Sequence, residues 1–139
     1  MKYREDKIAG AIAREMTARA QTLAVAESCT GGMLGETITG ASGASKFFRG
    51  GVIAYDNEIK KTILKVSQES LDSEGAVSES VARQLSLGVR DLCGADYGIG
   101  ITGIAGPGGG TPEKPVGLVF ICVASSERNL VRRFNFLGD

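Results

Sequence analysis

The chain has 139 residues, 42% of them hydrophobic, and its 16 basic side chains are matched by 16 acidic ones. That is the length of one domain with enough apolar content for a core, and the balanced charge gives no one-signed field to draw it onto nucleic acid or an anionic membrane. There is no His, which excludes Ser-His-Asp and Cys-His catalysis and HExxH zinc sites, so the base of any enzyme here has to be Lys, Tyr, a carboxylate or a water.

Three cysteines, Cys29, Cys93 and Cys122, form no CxxC pair. They suit neither a disulfide framework nor a zinc cluster and fit a reducing cytoplasm. The N-terminus MKYREDKIAG is charged and lacks an apolar signal core, so the expected location is cytoplasmic, without membrane attachment. Twenty glycines in so apolar a chain are read as local tools, placed where backbone turns sharply or approaches another group closely.

The first predicted element is an amphipathic helix over Arg4 to Ala20, with Ile8, Ile12, Ala13, Met16 and Ala20 on its core stripe. Leu23 to Ala26 reads as a buried strand running into ESCTGG, Met33 to Thr39 as a helix, and GASGAS (Gly40 to Ser45) as punctuation. The second half of FFRGGVIAY is a strand in which Gly50 and Gly51 mark a bulge or close approach. Asp56 or Asn57 caps a helix through Lys65, and Ser67 caps a short one. Ser78 then caps the clearest helix, Glu79 to Cys93, striped by Val81, Leu85, Val89 and Leu92. Strands follow at Asp96 to Thr102, Val116 to Ala124 and Leu130 to Phe136, the last two joined by an SSERN hairpin turn. Helices alternating with short apolar strands predict an α/β fold: a three-layer α/β/α sandwich on a mixed, mostly parallel five-stranded sheet.

Four stretches carry chemistry, each beside a plainer alternative. ESCTGG (Glu27 to Gly32) puts Ser28 at a strand-to-helix junction, where unpaired backbone N–H groups stabilise an oxyanion; the alternative is an ordinary Ser/Thr cap. Cys29 is the rival nucleophile and ranks second, having no His to activate it. YDNEIKK sets Tyr55 at a strand end and Lys60 a helical turn later. A Lys in an apolar pocket can lose its proton near neutrality and deprotonate a Ser; a solvated Lys pair is the alternative. The GASGAS loop offers N–H groups and hydroxyls to an anion, and TGIAGPGGGTPEKPVG is too long for a simple connection, so it is either functional or an Ω-loop packed on itself.

Taken in order, AESCTGG, GASGASKFFRGGVIAYDNEIK, GAVSESVA and ITGIAGPGGGTPEKPVG resemble the C-terminal domain of the CinA (competence/damage-inducible) proteins, from about Thr22 onward. The family includes stand-alone nicotinamide mononucleotide deamidases. The resemblance implies an amidohydrolase that converts nicotinamide mononucleotide to nicotinate mononucleotide and ammonia in pyridine nucleotide salvage, with no metal or organic cofactor. It further implies that Ser28 is the nucleophile, that Tyr55 and Lys60 supply the base, that Gly43 and Ser45 bind the substrate's phosphate and that Thr102 stands in the site wall. Backbone N–H groups of Cys29, Thr30 and Gly31 are the expected oxyanion donors. The family pattern continues past F-x-G-D, here Phe136 to Asp139, with an Arg and a final helix. The chain is accordingly read as one domain, 1–139, lacking that helix. The expected partner is a small nucleotide, and a homodimer or higher homo-oligomer is expected. The alternative is a nucleotide-binding or regulatory module that binds and does not turn over.

Overall fold

The computed structural model describes residues 2–137. The terminal Gly138 and Asp139, to which the expectation of a missing final helix refers, lie outside the described residues. Helix α1 (Lys2–Ala18) leads into β1 (Leu23–Glu27), α2 (Met33–Thr39), a 3-10 turn (Ala44–Lys46) and β2 (Phe48–Ile53). Then come α3 (Asn57–Thr62), α4 (Gln68–Ser73), α5 (Glu79–Cys93), β3 (Tyr97–Gly103), β4 (Leu118–Ala124) and β5 (Asn129–Asn135).

The strands form one sheet in the order β2-β1-β3-β4-β5. β1 runs parallel to β2 and to β3, whereas β3–β4 and β4–β5 are antiparallel. The expected mostly parallel sheet is therefore corrected to an even mixture. The physical reason is chain length: fourteen residues and a hairpin turn join the last three strands, with no helix between them to carry a parallel crossover.

β1 is buried along its whole length because both faces of the sheet are covered there. Leu23 and Val25 pack with Ala13 of α1, Ile38 of α2 and Phe47. Ala24 and Ala26 face the other way, onto Leu64, Val66 and the Val81, Leu85, Val89 stripe of α5. Leu118, Phe120 and Cys122 of β4 extend that second layer under Ala82. No described helix is long and apolar enough to cross a membrane.

Local signals place the helix ends. Ser78 accepts the Val81 N–H at 3.2 Å, and Gly94, with φ of 59°, closes α5 at its far end. Ser67 accepts the Ser70 N–H, and Asp56 accepts the Glu58 N–H at 2.7 Å. Three predicted core residues are outside: Ile8 is 54% and Leu92 55% exposed, and Ala20 is exposed beyond the end of α1. On α1 the contact with α2 and the sheet is made by the smaller Ala9 and Ala13 with Ile12 and Met16. On α5 the stripe continues from Val89 to the half-buried Cys93, four residues on, rather than to Leu92.

The closest helix-to-sheet approach is α5 on β3, and glycine makes it. A Cβ on Gly98 would stand 2.0 Å from the Ser86 carbonyl oxygen, and one on Gly100 would stand 2.5 Å from that of Ala82. The Gly50–Gly51 expectation is met in both forms. The β1–β2 register shifts beside Gly50, and a Cβ on Gly51 would lie 2.5 Å from the Val25 oxygen. Gly98→Ala should lower stability by about 3 kcal/mol, because helix backbone rather than a flexible side chain has to give way. Urea unfolding followed by circular dichroism measures it as a fall in the midpoint at unchanged m.

Candidate functional site

At the carboxyl ends of the three parallel strands lies a cavity of about 290 Å³. This is where open α/β sheets place their ligands. Ser28, Cys29, Tyr55, Asn57, Lys60 and Thr102 line it, with Ala76, Val77 and the glycine-rich loop from Gly103 to Gly109 making the remaining wall. Ser28, Tyr55, Lys60 and Thr102, singled out separately from the sequence, thus share one cavity.

Ser28 continues β1. Its N–H donates to the Ile101 carbonyl at 3.1 Å, while the neighbouring Glu27 carbonyl accepts from Ala54 N–H at 2.7 Å. The serine backbone is therefore held between the two flanking strands, and the residue is only 7% exposed. The turn that follows is organised by a group that the sequence reading did not single out. The Glu27 side chain, 1% exposed, accepts the N–H groups of Gly32, Leu34 and Gly35 at 3.1, 3.1 and 2.7 Å and the Thr30 hydroxyl at 2.5 Å. The signal was present in LAVAE: a carboxylate ending a strand buried on both faces has to find donors inside the protein.

This arrangement changes what α2 offers a ligand. The N-terminus of α2 is already occupied by the Glu27 carboxylate, so its dipole is met from within the chain. The Gly31 N–H is directed to the Ser28 carbonyl at 3.2 Å. Among the described residues, the N–H groups of Cys29 and Thr30 have no backbone acceptor, and of Cys29, Thr30 and Gly31 only Cys29 lines the cavity.

Lys60 is 2% exposed, in the last turn of α3. Its Nζ donates to the Tyr55 backbone carbonyl at 2.8 Å. Burial pushes its pKa below the ordinary lysine value by penalising the ammonium, while the nearby charge of Asp56 opposes the shift. The Tyr55 side chain is 76% exposed at the cavity mouth. Lys60 thus contacts Tyr55 through main chain, and no hydrogen bond links the ammonium to the phenol or to the Ser28 hydroxyl among the described residues. Burial, with the Glu27 charge adding to it, raises the Cys29 thiol pKa, although Lys60 and its own backbone N–H act in the opposite direction. A thiol so placed is mostly protonated at neutral pH, which weakens it as the rival nucleophile.

Thr102 is fully buried, and its hydroxyl donates to the Ala76 carbonyl at 2.7 Å. That bond pins the segment before α5 to the end of β3, so Ala76 and Val77 become cavity wall. Lys114 donates its ammonium to the Glu74 carbonyl, joining the long loop to the end of α4, and Thr111 and Lys114 tie the loop into a turn. Gly43 and Ser45 do not join this assembly. They belong to the 3-10 turn before β2, next to the Phe47 carbonyl that accepts the Leu23 N–H. The length of β1, about 15 Å, separates that end of the sheet from Ser28. No group of three or more potential metal ligands clusters among the described residues.

A sequence model of the CinA C-terminal domain matches residues 5–139. A CinA-like protein of Thermosynechococcus vestitus is 56% identical over 136 residues, which are 97% of this chain and 33% of that protein. The chain thus spans about a third of the length of such relatives. Among solved structures, the competence damage-inducible protein A of Klebsiella pneumoniae superposes with a TM-score of 0.94 at 34% identity, over 97% of this chain and 84% of that one. A CinA superfamily protein of Escherichia coli superposes with a TM-score of 0.93 at 35% identity, over 97% and 78% respectively.

The raised thiol pKa predicts that Cys29 reacts with iodoacetamide at pH 8 more slowly than a free model thiol. Lys60→Met should slow it further by removing the cation that favours the thiolate. Peptide mass spectrometry, which separates Cys29 from Cys93, reads both rates.

Proposed function

Because the chain belongs to the CinA C-terminal domain family, we propose that the cavity hydrolyses an amide, converting nicotinamide mononucleotide to nicotinate mononucleotide and ammonia. The observation that carries this reading is Lys60: a buried lysine with a lowered pKa, on the same cavity as Ser28, in a chain that has no His. Burial makes the neutral amine accessible, and a neutral amine is the base a serine hydroxyl needs.

In this reading Lys60 Nζ takes the Ser28 proton as Oγ attacks the carboxamide carbon. The negative oxygen of the tetrahedral intermediate is held by the N–H of Cys29, with that of Thr30 beside it. The Lys60 ammonium returns a proton to the leaving nitrogen, the C–N bond breaks and ammonia departs, leaving an ester on Ser28. Water then attacks that ester with Lys60 again as base, giving the carboxylate and free Ser28. Tyr55 contributes its carbonyl to hold Lys60 and its exposed ring to the cavity mouth. Proton transfer through its phenol is not required. No metal or organic cofactor enters the scheme.

That Lys60 donates to the Tyr55 carbonyl and makes no hydrogen bond to the Ser28 hydroxyl among the described residues favours one rival, a module that binds a nucleotide without turning it over. Calorimetric titration beside an ammonia assay distinguishes the two, since the module predicts heat of binding with no ammonia.

Ser28→Ala should reduce ammonia release on the order of a thousandfold or more, as removal of an activated serine does elsewhere. A rate near that of the parent chain would sink the reading. Because neutral Lys60 is the active form and its pKa is lowered, kcat/KM should rise with pH along a limb whose midpoint lies below the ~10.4 of an ordinary lysine. A stopped pH series of the ammonia assay measures that limb, and an alkaline limb at the ordinary value would remove Lys60 as the base.

A further inference from the structure

The Glu27 carboxylate faces into the protein rather than into the cavity, one residue before the proposed nucleophile. Four donors converge on it, three of them main-chain N–H groups within eight residues. The geometry points to Glu27 as the positioning residue of the site. Its carboxylate holds the turn from Ser28 to Gly32 in the shape that keeps the Ser28 hydroxyl and the Cys29 N–H at the cavity. This inference rests on the hydrolase reading.

Three observations carry it. The turn has little else to define it: Gly31 and Gly32 have φ of 60° and 110°, and its internal bonds are the Ser28–Gly31 and Thr30–Met33 pairs of 3.2 and 3.1 Å. Glycines with so few bonds leave a main chain free to rearrange unless another group fixes it. Next, α2 is seven residues long and has no side-chain cap from the residue before it, Gly32. Glu27 takes over that capping role from the preceding strand by accepting from Gly32, Leu34 and Gly35. Last, Thr30 lies between these contacts and the cavity residues, and its hydroxyl is donated to the same carboxylate oxygen that receives Gly32 and Leu34. Glu27 and Thr30 are thus one unit spanning the turn.

An amide in place of the carboxylate brings an NH₂ against N–H groups that need an acceptor. Glu27→Gln therefore keeps the volume and one acceptor oxygen, but sets an NH₂ against at least one of the four donors and loosens the grip. Because Glu27 does not touch the substrate, its loss should appear in kcat rather than KM. We expect kcat on nicotinamide mononucleotide to fall about a hundredfold, the scale of a displacement near 1 Å at the reacting groups, with KM within about twofold of the parent.

Thr30→Val removes one bond from the same unit and is the milder variant, should Glu27→Gln not fold. It should show the same kcat-only loss at smaller size, and the double variant should be about as slow as Glu27→Gln alone. Backbone ¹⁵N order parameters give a readout independent of turnover. The Cys29, Thr30 and Gly31 amides should fall from about 0.85 in the parent to below about 0.6 in Glu27→Gln, while the β1 amides stay rigid.

A parent chain that releases no ammonia would overturn the hydrolase reading, and the order parameters would still judge Glu27. Order parameters and kcat unchanged in Glu27→Gln, or a loss confined to KM, would overturn the positioning role. So would a double variant whose kcat loss is the product of the single losses.

Discussion

A carboxylate buried at the end of the central strand is the constraint on which the rest of the site depends. Glu27 cannot remain charged inside the protein without donors, and the chain supplies them from its next eight residues. Satisfying that requirement shapes ESCTGG into a turn, sets where α2 begins and leaves Ser28 at the mouth of β1 between the ends of β2 and β3. An N-terminus that would otherwise have bound an external anion is thereby used internally.

The second half of the site comes from how closely α5 lies on the sheet. Gly98 and Gly100 bring the helix main chain against β3, and the segment leading into α5 then falls beside Thr102, whose hydroxyl fixes Ala76. Lys60 enters from the third side. Its burial removes water from the ammonium and lowers its pKa, and the Tyr55 carbonyl holds the amine at the cavity. Three parallel strand ends each contribute one group because three adjacent strands point the same way. The antiparallel β4–β5 hairpin extends the sheet and contributes no residue to the cavity lining.

Much of this was legible in the sequence where local chemistry decides. Ser67 and Ser78 mark the starts of α4 and α5, Met33 to Thr39 is α2 to the residue, and β1, β3, β4 and β5 lie within two residues of their expected bounds, while β2 begins earlier in FFRGGVIAY than its second half. What failed depends on neighbours distant in sequence. Ile8 and Leu92 fit a helical stripe, yet which of two neighbouring positions is covered depends on how the helix is rotated on the elements it packs against, as Ala9 and Cys93 show. The direction of β4 followed from the missing crossover helix rather than from any strand's own pattern. Glu27 belongs to no motif among the hydroxyls and glycines of ESCTGG, although the buried run before it already requires a partner for the carboxylate. Gly43 and Ser45 come before β2 and so stand at its start, and because β1 runs parallel to β2 that end is opposite the one that carries Ser28.

With no His in the chain, the proposed mechanism places its covalent intermediate on a serine oxygen that a lysine has deprotonated. Rapid acid quench of the chain during turnover of nicotinamide mononucleotide, followed by peptide mass mapping, tests this most directly. The account predicts a nicotinate mononucleotide ester on Ser28. The same adduct on Cys29, with Ser28 unmodified, would contradict it.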